Sequence, residues 1–535
     1  MTLAARLRCL VAALAISLLP AAPAAFATAL TGFNQAVAEA ASAEAAIAEF
    51  YRNRDYEPLW TGAGGAARRE ALLRALSQAD AHGLPSARYR PEALIQAFRS
   101  ARGEREIGRL EVETTRLFLA YAHDIQSGAL DPAQIMPAEI KRHLPRRDPG
   151  AILAAFAAAE EPWAFLRSLP PHSAAYARLM REKARLERLI SAGGWGAPVP
   201  DAALERGDSG DAVVALRDRL IAMGYLGRTA TAVYGSEIEA AVRAFQSSHG
   251  IDADGVAGRS TLAEVNVPAE ERLKSVIVAL ERERWMNYEG GLGRRYIWVN
   301  LPDFYARIVD DGKVTFETRT VVGERRPDMR SFEFSDEMEY MEINPDWTVP
   351  RSIIGNEYLP RMQSNPAAAS HLQIVDSRGR VVPREAIDFT QYTSRNFPFN
   401  LRQPPGRGNA LGRVKFMFPN AYSIYLHDTP QKSLFSREQR DFSHGCIRLN
   451  DPFDFAYHLL ERQMADPKPY FDGLVNSGRQ TRVDIERHVP VHLVYFTAFM
   501  GADGEMQYRR DIYDRDARLF AALLDAGVAF PGAGG

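Results

Sequence analysis

The period of the hydrophobic pattern changes along this 535-residue chain, and that change limits what it can fold into. Up to about residue 268 the apolar residues recur at helix spacing, and from about 270 they alternate as in half-buried strands. Helices gathered in one half and strands in the other predict a multidomain α+β chain. At about 150 residues per domain, three or four domains are expected. With 46% hydrophobic and 25% charged residues, each can bury a core. The balance of 65 Lys+Arg against 67 Asp+Glu leaves no basic footprint for a nucleic acid. Two cysteines exclude a disulfide framework and any Cys-rich zinc or iron–sulfur module.

Residues 1–27 carry Arg6 and Arg8, the apolar run Cys9–Leu19, then Pro20 and Ala25-Phe26-Ala27. That is the order of a secretory signal peptide, so export is expected. The run is too short to span a bilayer comfortably, and an uncleaved N-terminal anchor is the alternative. Cleavage after Ala27 removes Cys9 and leaves Cys446 alone. An unpaired thiol in an oxidising compartment is a liability unless it is buried or has a chemical use, and both readings stay open at this point.

Residues 28–200 read as a helical scaffold, with helices over Ala36–Tyr51, Ala66–Ala79, Leu110–His123 and Tyr176–Ile190 and no catalytic constellation. Gly193-Gly194-Trp195-Gly196, then Pro198 and Pro200, mark a boundary. Residues 201–268 predict three small helices. Val213, Leu216 and Leu220 share one face of the first, and Ser236-Glu237-Ile238-Glu239 matches a capping box for the second. With Gly207, Gly224, Tyr234-Gly235, Phe245-Gln246, Asp254-Gly255, Gly258 and Thr261, this unit resembles the peptidoglycan-binding module of cell-wall enzymes. Asp252 and Asp254 lack a calcium ladder and read as turn acids. Strands are expected at 295–301, 304–309, 313–322, 340–343, 413–418, 424–427 and 490–500, with a hairpin turn at Asp503-Gly504. A polar, aromatic insertion over about 351–406 reads as an ordered lid within a domain spanning 270–485. Residues 486–535 are expected to form a hairpin and helix packed on that domain.

The chemistry concentrates in Tyr425-Leu426-His427-Asp428-Thr429 and Ser443-His444-Gly445-Cys446-Ile447-Arg448-Leu449-Asn450. A thiol with a pKa near 8.5 needs a base or cation within reach to act as a nucleophile, and two histidines flank Cys446. Gly445 allows a backbone N–H to approach a substrate oxygen. Asp451-Pro452 reads as the start of a helix, so its positive end would lie near the thiol and lower its pKa. His, about fifteen residues, then Ser-His-Gly-Cys with Arg and Asn following, resembles the signature of the L,D-transpeptidase catalytic domain. Asn344-Pro345-Asp346-Trp347-Thr348-Val349-Pro350, Asn409-Ala410-Leu411-Gly412-Arg413-Val414-Lys415-Phe416 and Phe418-Pro419-Asn420 extend the likeness. With the scaffold and the module, the chain resembles the large periplasmic L,D-transpeptidases.

That resemblance implies Cys446 as nucleophile on a donor tetrapeptide stem, expelling D-alanine. It implies His427 as the base, held in its tautomer by a carbonyl near Asp428, and the Gly445 and Cys446 N–H groups as oxyanion donors. Ser443 and His444 would shape the site, Arg448 and Asn450 would position loop and substrate, and Asn409, Lys415 and Trp347 would contact substrate. The acyl-thioester would pass to a diaminopimelate amine on an acceptor stem, with no metal or cofactor. Periplasmic location, cell-wall synthesis partners and acylation by carbapenems are implied in the same way. An L,D-carboxypeptidase and a protein-anchoring transferase share the acyl-enzyme; a zinc peptidase and a non-catalytic cell-wall-binding protein are the remaining alternatives. His82, His123, His249, His458 and His492 stand isolated and read as surface or core residues.

Overall fold

The computed structural model describes residues 31–531. The expected signal segment, with Cys9, lies outside the described residues. The scaffold is helical, its longest helices being Glu104–Ser127 and Ala174–Ser191. Its core stacks Trp60, Phe118 and Phe156 around a buried carboxylate, Glu111, which accepts the N–H groups of Leu59, Trp60 and Thr61. The helix expected over Ala36–Tyr51 is two helices, Gly32–Ala41 and Ala45–Arg52. Between them Glu44 is extended and pairs with Arg116 at 2.6 Å, a tertiary contact that the helical period does not reveal.

The module has helices Asp211–Met223, Ser236–Ser248 and Arg259–Val265. The capping box does not form: Gly235 is the N-cap and Ser236 is already the first helical residue. Asp254 serves its own turn, accepting the Gln246 amide at 2.7 Å and the Val256 N–H at 2.9 Å.

A 17-residue helix, Ala269–Trp285, follows where strands were expected to begin. It is buried on nearly every side, so it shows no amphipathic stripe, and its charges are paired inside: Arg284 with Glu281 at 2.6 Å, and Arg282 with Glu333 at 3.3 Å. The change of period therefore falls near residue 295.

Strands β1 (Arg295–Asn300), β2 (Tyr305–Asp310), β3 (Lys313–Gly323) and β4 (Phe334–Ile343) open the strand-rich region. The insertion contributes β5 (Trp347–Thr348), β6 (Gln373–Val375) and β7 (Asn400–Gln403), which pair as a small sheet of their own in the order β5-β7-β6. Ile354, Leu359, Met362, Ile374, Phe389, Phe397 and Leu401 form its separate core, which makes the insertion a packed subdomain. The main sheet resumes with β8 (Val414–Met417), β9 (Leu426–His427), β10 (Asp441–Ser443), β11 (Ile447–Leu449) and β12 (Thr481–Val494). Its order is β10-β3-β11-β9-β8-β4-β12-β1-β2, and β2 also pairs with β3, so the sheet closes on itself.

The expected break at 485/486 falls inside β12, which runs parallel to β1 and antiparallel to β4. Beyond it β13 (Ala498–Met500) and β14 (Met506–Tyr508) form the hairpin. The final helix, Arg515–Ala526, shares its apolar cluster with the Ala269–Trp285 helix, a placement set by Leu519, Phe520 and Leu523.

Candidate active site

Alternation on short strands builds the site. In β9 and β11, Leu426, Ile447 and Leu449 turn into the core. The opposite face then carries Tyr425, His427, Cys446 and Arg448. Parallel register sets Arg448 beside His427, and antiparallel register with β8 sets Lys415 on the other side of His427. Cys446 precedes Arg448 by two residues and so falls on this same face, next to Tyr425.

His427 is buried, and its Nδ1 lies 2.5 Å from the Asp428 carbonyl. Nδ1 carries the hydrogen and Nε2 is left to accept a proton. Asp428 is itself fixed, accepting the Arg413 and Thr429 N–H groups at 2.9 and 2.7 Å and pairing with Lys432 at 2.9 Å. Burial, and then the Arg448 charge, lower the His427 pKa to about 3. Burial pushes the Cys446 thiol up to about 11, against the opposing pull of Tyr425, Arg448 and Lys415. At rest the pair is a neutral thiol and a neutral imidazole. The thiol donates to the Ser423 carbonyl at 3.6 Å and lies close enough to Tyr425 for each to influence the other's ionisation, and no hydrogen bond joins it to His427 among the described residues.

The expected help from a helix terminus is absent. Helix Pro452–Leu460 does follow Asp451, but strand β11 intervenes and carries the chain roughly 10 Å away from the thiol. A helix end acts within about one turn, so the thiol keeps its raised pKa.

The loop 443–446 is tightly bonded. The Ser443 hydroxyl donates to the Cys446 carbonyl at 2.6 Å and accepts the Gly445 N–H at 3.1 Å. The Gly445 N–H, expected to face an oxyanion, is thus already used within the loop. Gly445 holds φ at +110°, a value that favours glycine. The Cys446 N–H has no hydrogen-bond acceptor among the described residues.

Of the other expected residues, Lys415 pairs with Glu342 at 2.8 Å and lies over the Tyr425 ring. Arg448 gives Nη1 to Gln431 at 2.6 Å, and its Nε has no partner. His444 reaches out of the loop to Glu357 of the insertion at 2.5 Å. Trp347 packs at the edge of the insertion core against Tyr358.

Two expected substrate contacts are engaged elsewhere. Buried Asn409 gives its amide to the carbonyls of Pro345, Gln403 and Pro404 and accepts the Leu411 N–H, tying down the base of the insertion. Asn450 donates to Asp451, which Thr318 also holds at 2.9 Å, and braces the following helix. Reading the motif overlooked Tyr425 and Glu357. Tyr425 had a usable signal, since residues two apart on a strand share a face; Glu357, far from the motif, had none.

Three family models match the chain: a scaffold domain over residues 45–182, a peptidoglycan binding domain over 209–264 and the L,D-transpeptidase catalytic domain over 294–485. A Haemophilus influenzae protein assigned as an L,D-transpeptidase is 32% identical over 234 residues. The match covers 43% of this chain and 46% of that protein, so the chain spans about half the length of this curated relative. Solved L,D-transpeptidases from Xylanimonas cellulosilytica and Stackebrandtia nassauensis align at 15% identity each. They cover 56% of this chain and 100% and 97% of their own, with TM-scores of 0.16 and 0.22. The matched regions join a helical scaffold domain and a peptidoglycan binding domain to a mainly-β domain of the L,D-transpeptidase catalytic type. Residues 294–485 thus match the L,D-transpeptidase catalytic domain.

Proposed function

We propose that the chain cross-links peptidoglycan through a Cys446 acyl-thioester. A tetrapeptide stem enters as donor. His427 Nε2 takes the thiol proton as sulfur adds to the diaminopimelate carbonyl, the carbon–nitrogen bond to D-alanine breaks, and the leaving amine receives that proton. The side-chain amine of diaminopimelate on a second stem then attacks the thioester, its proton passes to His427, and the thiol is regenerated. The single observation carrying this reading is the shared sheet face: Cys446 lies on the same face as a buried neutral imidazole whose Nδ1 is committed to the Asp428 carbonyl. Tyr425, Arg448 and Lys415 stabilise sulfur as it becomes anionic. Such a substrate lies in the cell envelope, in keeping with the signal-like segment at 1–27 and the module at 209–264.

Incubation with a purified disaccharide-tetrapeptide, followed by mass spectrometry, tests the proposal. A cross-linked dimer formed with release of D-alanine is expected; a tripeptide alone would mean that water is the acceptor. Cys446→Ala is expected to abolish both products and leave the thermal midpoint within about 2 °C of the parent, the half-buried thiol adding little packing. Cross-linking retained by that variant would overturn the mechanism.

A further inference from the structure

Behind the 443–446 loop runs Met329–Ser331, so close to the end of β3 that a Cβ on Gly323 would lie 2.1 Å from the Met329 carbonyl oxygen. Ser331 is fully buried there, and its hydroxyl is committed in both directions. It accepts the Gly323 N–H at 2.9 Å and donates to the Gly445 carbonyl at 2.7 Å. The Gly445 carbonyl and the Cys446 N–H belong to one trans peptide, so they point in opposite directions. A hydroxyl gripping that carbonyl from behind turns the Cys446 N–H to the other side, where no protein group accepts it.

We infer that Ser331 is a positioning residue for acyl transfer: its hydroxyl sets the Gly445–Cys446 peptide plane so that the Cys446 N–H meets the developing oxyanion. This rests on the proposed role of Cys446. As the sulfur–carbon bond forms, the carbonyl π pair moves onto oxygen, and a donor already aimed there needs no reorganisation. The adjoining residue is glycine, whose backbone resists rotation of that plane least. The other polar groups of the loop, Ser443 Oγ, the Gly445 N–H and the Cys446 carbonyl, are bonded to one another and leave the plane to Ser331.

Ser331 is held in turn from far along the chain. Its carbonyl accepts Nη2 of Arg515 at 2.7 Å, and that fully buried guanidinium pairs with Glu139 of the scaffold at 3.0 Å and with Glu333 at 3.2 Å. The scaffold and the last helix thereby support the wall behind the thiol.

The test compares Ser331→Ala and Ser331→Thr in the full chain with two probes of Cys446, both read by intact mass. Iodoacetamide alkylates the thiolate without making an oxyanion, whereas a carbapenem acylates through one. Ser331→Ala is expected to slow acylation by about 10- to 100-fold, part of what losing an oxyanion donor outright costs, and to leave alkylation within about twofold. Ser331→Thr keeps the hydroxyl and is expected to restore most of the rate. Ser331→Cys, a weak donor of similar volume, should follow the alanine variant, and it serves if that variant fails to fold. Equal acylation of parent and Ser331→Ala overturns the inference. So does a matching fall with both probes, which would trace the loss to access or to a distorted loop. A parent chain that alkylates but never acylates overturns the underlying role of Cys446 instead, a result readable from the parent alone.

Discussion

Gly412 shows how little freedom the residues around His427 have. It holds φ at +62°, and a Cβ there would sit 2.2 Å from the Asp428 carboxylate, whose backbone carbonyl fixes the imidazole. Gly412→Ala therefore meets backbone strain and overpacking together, and is expected to cost about 2–4 kcal/mol. Urea unfolding would measure the cost, and acylation should slow in parallel as the imidazole loses its anchor. At this scale the sequence was legible where chemistry makes a residue type rare. A lone thiol, a histidine at a strand end and a glycine beside the thiol are such signals. It was misleading for Asn409, because an amide that binds substrate and one that ties down backbone carbonyls look alike until their partners are seen. The free donor at Cys446 and the occupied one at Gly445 differ only in the hydrogen bond to Ser443, which no spacing encodes.

Among the elements, the insertion joins the active-site loop through one side-chain bridge, Glu357 to His444. Glu357 stands on a π-helical turn, Ile354–Tyr358, a geometry frequent at functional sites. Both side chains are partly exposed, so the bridge is worth ~1 kcal/mol at most. Glu357→Ala is expected to raise the KM for a stem-peptide donor by up to about fivefold with kcat little changed, as steady-state kinetics would show. An equal fall in kcat would instead mark the bridge as part of the chemistry. Strands were legible here because one face of each meets the core and the other meets solvent or the site, so alternation survives in the sequence. The Ala269–Trp285 helix was not, since burial on all sides erases its stripe and buried ion pairs imitate a wet face. Glu44 broke another helix through a partner 72 positions away, a contact that local pattern cannot carry.

Over the whole molecule, buried neutral histidines recur. Burial lowers His82 to about 4 and His427 and His492 to about 3, and it holds His249 well below its ordinary value between Phe245 and Tyr508. Unfolding frees each to bind a proton near 6.5, so their contribution is complete above that pH and declines as pH falls toward 4. Glu283 and Asp516, raised by burial to about 7 and about 6, act in the opposite direction, as do His123, raised by its bond to Asp124, and Asp336, raised by burial; the shifts of His427 and His492 are larger than those of Glu283 and Asp516. Carboxylates lowered by arginines, such as Glu264 at about 2, add their loss only below about 4.5. Thermal midpoints at constant ionic strength are therefore expected to fall from pH 6.5 to 4.5, before the acid pairs break. The overall plan was legible because each unit has its own composition and period. The joints were not, because contacts such as Arg510 with Glu264 of the module and Arg515 with Glu139 of the scaffold join residues 246 and 376 positions apart. Strand β12 closes the sheet between β4 and β1, yet in chain order it comes after the nucleophile loop. A chain emerging N-terminus first can finish its scaffold and its wall-binding module while Cys446 still lies on an open sheet. The sheet face that carries Cys446 is thus completed last, once the units ahead of it in the chain are already in place.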